Sequence, residues 1–502
     1  MNSSGPQSQQ APEARARLEQ ADGLRQRGEL DRAEAICTAL VRQHPDYIAA
    51  LHTLGLVYLD KGKFERALDC LIRAQMRDPD NWMTLTALGL CYVRLGAAEM
   101  AIQTLNRALA IGAKDAGIFA SLGEAYRSER EYELAENAYR NALALDPGLE
   151  SSITGLALSL FALGKYQEAA DILQNTMKRG HRSFALLHVL STLPHNTVKI
   201  DLLNALDSLA SHQHDPDAET RNSIAFVRAT ALHAAGRHAE AWQQLEAANA
   251  PLASQHQSEL KDDVARREKS LARLGDATYQ PPLAVDSPVS LFILGCSRTG
   301  KSTLEQLLSS VPGVKAGYEG PIVENALHRT YQSAALPSRP HLEDLPAGLL
   351  PSFRDHYLVE LTRRAGTARV FTSALSSRIH DASLIASVLP NIRFVLMRRN
   401  PKDTALRIYM SKYLRGNSYA YDLKSIAAYM DWYAGMTDLM AEKFSKISVV
   451  ISYEGMIADP IAAVREVADL AGLSVNNEMK LHPVDDRDVA KPYAKLMGPY
   501  WQ

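Results

Sequence analysis

A step of 34 residues runs through the first third of the chain and leaves few folds open to it. Gly55, Gly89 and Gly123 stand 34 apart, and Ala157 continues the series. Tyr58, Tyr92 and Tyr126 keep the same step with Leu160 next, as do Ala67, Ala101, Ala135 and Ala169. Pro45, Pro79 and Pro147 mark unit ends, with Ala113 where a proline is skipped. A fixed period of this length, with apolar residues at helical spacing, predicts stacked two-helix units, each burying its apolar face on the next. The small residue of each first helix is expected to let the alanine of the second pack closely. Units should start near residues 48, 82, 116 and 150, after a degenerate unit from about residue 14. A weaker unit at 222–250 carries Gly236, Ala241, Leu245 and Ala248, and 179–220 reads as helical but off period.

These in-phase positions resemble the tetratricopeptide repeat. The resemblance implies a superhelix whose concave face takes an extended peptide or a protein partner. A pure scaffold or a self-association surface would use the same sequence pattern.

At 502 residues the chain should hold at least two domains. We read 1–13 as a disordered N-terminus, 14–250 as the repeat array, 251–285 as a connecting helix and linker, and 286–502 as the second domain. A net charge of −2 counts against a nucleic-acid partner. Cys37, Cys70, Cys91 and Cys296 lack metal-ligand spacing and read as small core residues. The polar first residues carry no apolar signal core, and no apolar run approaches membrane-spanning length. The expectation is a cytoplasmic protein without a membrane or metal partner; its oligomeric state is not legible.

The second domain is organised around Gly295 to Ser302, a G-x-x-x-x-G-K-S loop. An apolar run at 291–294 reads as a buried strand before it, and an amphipathic helix at 302–310 follows. Glycines let the backbone turn tightly, main-chain amides then face inward, and a new helix adds a positive dipole end. Lys301 brings a charge and Ser302 a hydroxyl, so a phosphate or sulfate group belongs here. Further strands are expected at 314–316, 368–372, 392–397 and 447–452, with helices at 383–388, 402–414 and 423–444. Strand and helix alternate, which predicts an α/β domain with a parallel, doubly wound sheet.

A nucleotide triphosphatase would also need a carboxylate at a strand end to hold magnesium. None of these strands ends in one. The strand at 392–397 leads instead into Arg398-Arg399-Asn400-Pro401-Lys402-Asp403, a cation cluster at a helix start and so a second anion site. Two anion sites favour a donor with two separate phosphate groups.

Taken in order, these segments resemble the P-loop sulfotransferases, in the subgroup that joins tetratricopeptide repeats to that domain. The family's loop usually reads Gly-x-Pro-Arg-Ser-Gly-Thr-Thr-Leu-Leu-Glu-Gln; Gly295, Arg298, Gly300, Leu304, Glu305 and Gln306 match it. Its Arg-x-Pro-x-Asp element is Arg399 to Asp403. Its glutamate after the next strand falls on Glu319, and Tyr453 to Pro460 resembles its Tyr-Glu-Asp-Leu-x-x-Asp-Pro, with Gly455 in place of the acid. The resemblance implies 3′-phosphoadenosine-5′-phosphosulfate (PAPS) as donor, with no metal, and a hydroxyl, amine or tyrosine phenol as acceptor. It implies that Ser297, Arg298, Thr299, Gly300, Lys301, Ser302 and Thr303 hold the 5′-phosphosulfate, with Arg298 and Lys301 favouring its departure. Glu319 would take the acceptor's proton, and Arg399 and Arg407 would grip the 3′-phosphate.

Besides Gly455, four stretches depart from the family, one of them its C-terminal Thr-Ala-Ser segment, which is not recognisable before Lys491-Pro492-Tyr493. Lys301-Ser302 replaces the usual Thr-Thr, Arg407 stands where a serine is usual, and Thr372-Ser373-Ala374-Leu375 lacks the usual lysine, whose charge Lys301 could supply. A P-loop kinase or triphosphatase, or a catalytically degenerate nucleotide-binding scaffold for protein interaction, therefore stay as alternatives. Asp485-Asp486-Arg487-Asp488 reads as a solvated loop, and His212, His214, His233 and His238 as surface residues. Tyr409, Tyr413, Tyr419 and Tyr421 read as core or lid packing.

Overall fold

The computed structural model describes residues 7–210, 217–277, 285–413, 416–475 and 483–498. They form two compact units, 1–172 and 173–502.

In the first unit, helices pair in chain order. They are α1 (Gln7–Gln26), α2 (Leu30–Gln43), α3 (Ile48–Asp60), α4 (Phe64–Arg77), α5 (Trp82–Arg94), α6 (Ala98–Ala110), α7 (Ala116–Ser128), α8 (Tyr132–Leu145), α9 (Glu150–Ala162) and α10 (Tyr166–Lys178). The first helices of the units start at Ile48, Trp82, Ala116 and Glu150, where the period placed them. Helix α1 begins at Gln7, inside the stretch expected to be disordered; residues 1–6 lie outside the described residues.

The period has a steric cause. A Cβ built on Gly55 would come within 2.6 Å of Leu71, one on Gly89 within 2.4 Å of Leu105, and one on Gly123 within 2.6 Å of Tyr139. The side chain that fills the space left by each glycine is thus sixteen residues on, not the alanine expected from sequence. Those alanines, Ala67, Ala101 and Ala135, are fully buried all the same. The turn inside each unit has its own 34-residue rule: Gly28, Gly62, Gly96 and Gly164 have positive φ, and Arg130 adopts φ 62° at the same step.

The second unit takes the end of α10 from Leu173 and goes on with α11 (Phe184–Thr192), α12 (Leu202–Ala210), α13 (Ala218–Ala234), α14 (His238–Gln255) and α15 (Gln257–Asp276). The sequence read the helices up to residue 250 as the end of the repeat array. In the structure α13 to α15 pack against the sheet-bearing part of their own unit. Asn249 on α14 donates to the Tyr409 carbonyl at 2.9 Å, the Trp242 ring packs tilted against that of Tyr409, and Trp432 donates to the Arg267 carbonyl at 3.0 Å.

The sheet itself runs β1 (Val289–Leu294), α16 (Lys301–Leu308), β2 (Val314–Lys315), α17 (Ile322–Ser333), α18 (Leu350–Ala365), β3 (Val370–Ser373), α19 (Ala382–Val388), β4 (Ile392–Arg398), α20 (Pro401–Tyr409), α21 (Leu423–Lys443), β5 (Ser448–Ser452), α22 (Tyr453–Ala458), α23 (Pro460–Leu470) and α24 (Ala494–Met497). Among the described residues it has five parallel strands in the order β2-β3-β1-β4-β5. Alternate β1 residues go to opposite cores. Phe292 and Leu294 join α17 to α21, while Leu291 and Ile293 join α16, α22 and α23. Helices on both faces make the sheet doubly wound. Chain order reverses on either side of β1, so the carboxyl end of β1 opens at a switch point, the usual ligand crevice of such sheets. Helix α20 ends at Tyr409, five residues short of the expected limit, and α17 and α18 fill a stretch the sequence reading left without elements.

Candidate functional site

The glycine loop occupies that crevice. Its backbone is left-handed at Arg298 (φ 68°) and at Gly300 (φ 89°). Only glycine fits at 300, because a Cβ there would stand 2.4 Å from the Tyr453 ring. Thr299 is buried and its hydroxyl donates to the Cys296 carbonyl at 2.8 Å, closing the loop. Gly300 begins α16 without a side-chain cap, which leaves the first-turn amides to a ligand. Ser302 and Thr303 lie on that turn, Ser302 exposed and Thr303 half-buried. Ser297 donates to Asn417 at 3.5 Å, and Arg298 is exposed at the loop tip.

Lys301 lies buried under the loop. Its ammonium donates to the carbonyls of Gly295 at 3.0 Å and Cys296 at 2.8 Å. Burial pushes its pKa down to about 8, and the negative charge of Glu319 opposes that shift. One helical turn on, Glu305 is fully buried. Its Oε1 accepts from the Tyr318 amide at 2.8 Å and from the Thr372 hydroxyl, while Oε2 has no partner. Burial pushes this carboxyl up to about 7 against those two hydrogen bonds. Glu305 thereby pins the turn after β2, where Tyr318 is left-handed (φ 52°) and Glu319 is exposed beside it.

The second cation cluster lies at the start of α20. Asn400 caps that helix by accepting from the Lys402 and Asp403 amides. Arg399 reaches back to the glycine loop, donating to the Arg298 carbonyl at 2.9 Å, and its guanidinium lies 4.3 Å from the Tyr453 ring centre. The Arg399 side chain is 3% exposed and its Nε has no partner. Arg407, two turns along α20, faces the same point. Both arginines hold Asp486: Arg407 donates from Nε at 2.8 Å and from Nη2, and Arg399 donates to Oδ2 at 3.0 Å and to the Asp486 carbonyl. The cluster read as a solvated loop therefore carries a residue tied to two guanidinium groups.

Two of the histidines expected at the surface are packed inside the second unit. His233 and His238 are half-buried and face the Tyr493 hydroxyl at 3.0 and 3.4 Å, because Tyr493 is inserted fully buried beside α14. His212 and His214 lie outside the described residues. Among the described residues no group of three or more His, Cys, Asp or Glu is placed to hold a metal ion. The four cysteines are free and buried, and among the described residues no helix is long and apolar enough to cross a membrane.

The structure thus brings Ser297 to Thr303, Glu319, Arg399 and Arg407 to one end of the sheet. Sequence reasoning missed Glu305 and Asp486 as partners of this site. The i, i+4 spacing of Lys301 and Glu305 on one helix was a usable signal for the first. For Asp486, 79 residues beyond Arg407, there was none.

Residues 288–477 match the sulfotransferase family model, and 52–116 and 118–151 match tetratricopeptide repeat models. No curated protein matches the chain. Solved structures that resemble part of it include MamA from Desulfovibrio magneticus RS-1 (20% identity, 34% of this chain and 97% of that one, TM-score 0.30). Others are a tetratricopeptide repeat protein from Parabacteroides merdae (18%, 47% and 91%, TM-score 0.36) and a thermophilic one from Thermus thermophilus (21%, 34% and 94%, TM-score 0.32). By its period, its sheet and these family matches, the chain is a tetratricopeptide-repeat array followed by a sulfotransferase-like domain.

Proposed function

We propose that the second domain moves a sulfuryl group from PAPS to a hydroxyl or tyrosine phenol of a peptide or protein, which the repeat array recruits. The observation that carries this reading is the pairing of two cation sites through one contact, Arg399 to the Arg298 carbonyl. Lys301 and an uncapped helix start serve one site, and Arg399 and Arg407 serve the other. The unpartnered Nε of the buried Arg399 fits a further acceptor on the ligand, as a phosphate oxygen would be.

The donor, when bound, supplies the sulfuryl group and a phosphate leaving group. The residues of the chain do the rest. Lys301 and Arg298 hold negative charge at the loop, and the α16 amides orient it. Lys301 donates to two neutral carbonyls in the free protein, acceptors that an anion outcompetes. Glu319, exposed and near enough to support the charge on Lys301, takes the acceptor's proton as charge develops on the oxygen. A recruited peptide gains effective concentration without any new contact at the site.

Calorimetry of the full chain with adenosine 3′,5′-bisphosphate, then with ATP and magnesium, tests this. Metal-independent binding of the bisphosphate, tighter than that of ATP, is the expected result. Preference for ATP with magnesium would replace the reading with a kinase or triphosphatase.

A further inference from the structure

The second cation site is already filled by the chain's own carboxylate. Arg407 holds Asp486 side-on, with Nε on Oδ2 at 2.8 Å and Nη2 on Oδ1, and Arg399 adds a contact to Oδ2 at 3.0 Å. Three N–H groups from two guanidiniums on one anion is the arrangement such arginines offer a phosphate. Burial pushes the Asp486 carboxyl up, but the hydrogen bond and charge of Arg407, then the charge of Arg399, outweigh it and hold the group below the usual carboxylate range.

The segment around Asp486 is tied at both ends and leaves the carboxylate between them. On one side the Tyr453 hydroxyl accepts from the Asp486 amide and donates to the Val484 carbonyl, both at 3.1 Å. On the other the Asp403 carboxylate accepts from the amides of Asp488 at 2.9 Å and Ala490 at 2.8 Å. Tyr453 also lies under Gly300 and against Arg399, so one ring touches the loop, the arginine and the Asp486 segment.

We propose that Asp486 is a built-in competitor for the second phosphate of the donor, and so sets how strongly the site favours a bisphosphate over a monophosphate. This rests on the two-phosphate donor reading above. A 3′-phosphate reaches Arg399 and Arg407 only by taking the place of the carboxylate. A nucleotide bearing phosphate only on its 5′ side meets no such competition.

The test is calorimetry of the full chain and of Asp486→Asn with adenosine 3′,5′-bisphosphate and with adenosine 5′-monophosphate. The substitution should tighten bisphosphate binding about tenfold or more, the scale of one charge-assisted contact, and leave the monophosphate within about twofold. Asp486→Glu, which keeps the charge, should restore most of the competition. Equal changes for both ligands, or weaker bisphosphate binding by Asp486→Asn, would overturn the proposal and make Asp486 a residue that positions the arginines. Failure of either nucleotide to bind either protein would instead remove the donor reading, and the competition with it. Hydrogen exchange of the unaltered chain covers a variant that does not fold. Bisphosphate should speed exchange in residues 483–490 and the monophosphate should not; no difference between them would equally overturn the proposal.

Discussion

Glu305 and Asp486 are both carboxylates taken out of water beside the same loop, and they are driven in opposite directions. Glu305 has backbone amides and a hydroxyl for partners, none of them charged, and its second oxygen has none, so burial pushes it up to about 7. Asp486 is less deeply buried and is met by two guanidinium groups, whose hydrogen bonds and charge win over burial. Depth alone decides neither. The charge of the donors does, and it sets a buried half, whose Lys301 and Glu305 meet only neutral hydrogen-bond partners, apart from an ionised flank. Lys301 follows the same rule from the cationic side: its carbonyl partners do not carry the charge that would hold its proton, and its pKa falls to about 8.

The largest expected effect asks which carboxylate does chemistry. Glu319→Gln should lower sulfuryl transfer by about 10³-fold, the range of a positioned base, while bisphosphate binding stays within about twofold. Release of bisphosphate from the donor in the presence of a pool of tyrosine peptides would measure it. If turnover survives there and is lost in Glu305→Gln, the buried carboxylate is the base and the comparison between Glu305 and Asp486 gains a catalytic side.

Much of the frame behind this prediction was legible before any coordinates. The start of α16, the arginines after β4 and the helix starts at Ile48, Trp82, Ala116 and Glu150 follow from local pattern, because glycine, lysine and apolar spacing act within a few residues. Partnerships across long separations were not legible. Asp486 sits in an acidic, charged run like any solvated turn, and only the fold brings it to Arg407. His233, at the end of α13, carries no sign that Tyr493 lies against it. The weak repeat at 222–250 has the right period, but period does not say which surface Asn249 and Trp242 will cover.

A second experiment breaks the comparison at Glu305. Its folded pKa of about 7 lies above the ordinary value of 4.5. The folded state therefore keeps a proton that the unfolded chain has lost between those values. This contribution is fully present below about pH 4.5, falls as pH rises towards 7, and stays lost above. Glu305→Gln has no proton to lose, so its stability relative to the unaltered chain should rise by about 3 kcal/mol between about pH 4.5 and pH 8. Urea unfolding at the two pH values measures this. A gap that does not move with pH would mean the ionised carboxylate is satisfied, as Asp486 is.

Lys301→Ala sharpens the contrast between the two cation sites. Loss of a charge-assisted contact of about 2 kcal/mol should weaken adenosine 5′-monophosphate and the bisphosphate alike, by roughly 30-fold. Arg407→Gln removes a side chain that hydrogen-bonds to Asp486 and not to the loop, and should weaken the bisphosphate alone. Calorimetry with both nucleotides separates the cases, and a Lys301 effect confined to the bisphosphate would reverse the assignment of the sites.

The smallest effect is a pH dependence that only one of the two sites can produce. In the free protein the Lys301 ammonium, lowered to about 8 by burial, is half neutral near that pH. A bound anion favours its charged form, so above pH 8 binding must first restore a proton. Affinity for either nucleotide should then fall by about tenfold per pH unit, with proton uptake that scales with the ionisation heat of the buffer. At pH 7 the lysine is already mostly charged and its contribution to the slope fades. The guanidinium groups of the second site lose no proton in this range. Calorimetry at pH 7, 8 and 9 in two buffers thus reads the glycine loop by itself. A flat profile would mean that Arg399 and Arg407 carry the binding and that Lys301 only braces the loop through the Gly295 and Cys296 carbonyls.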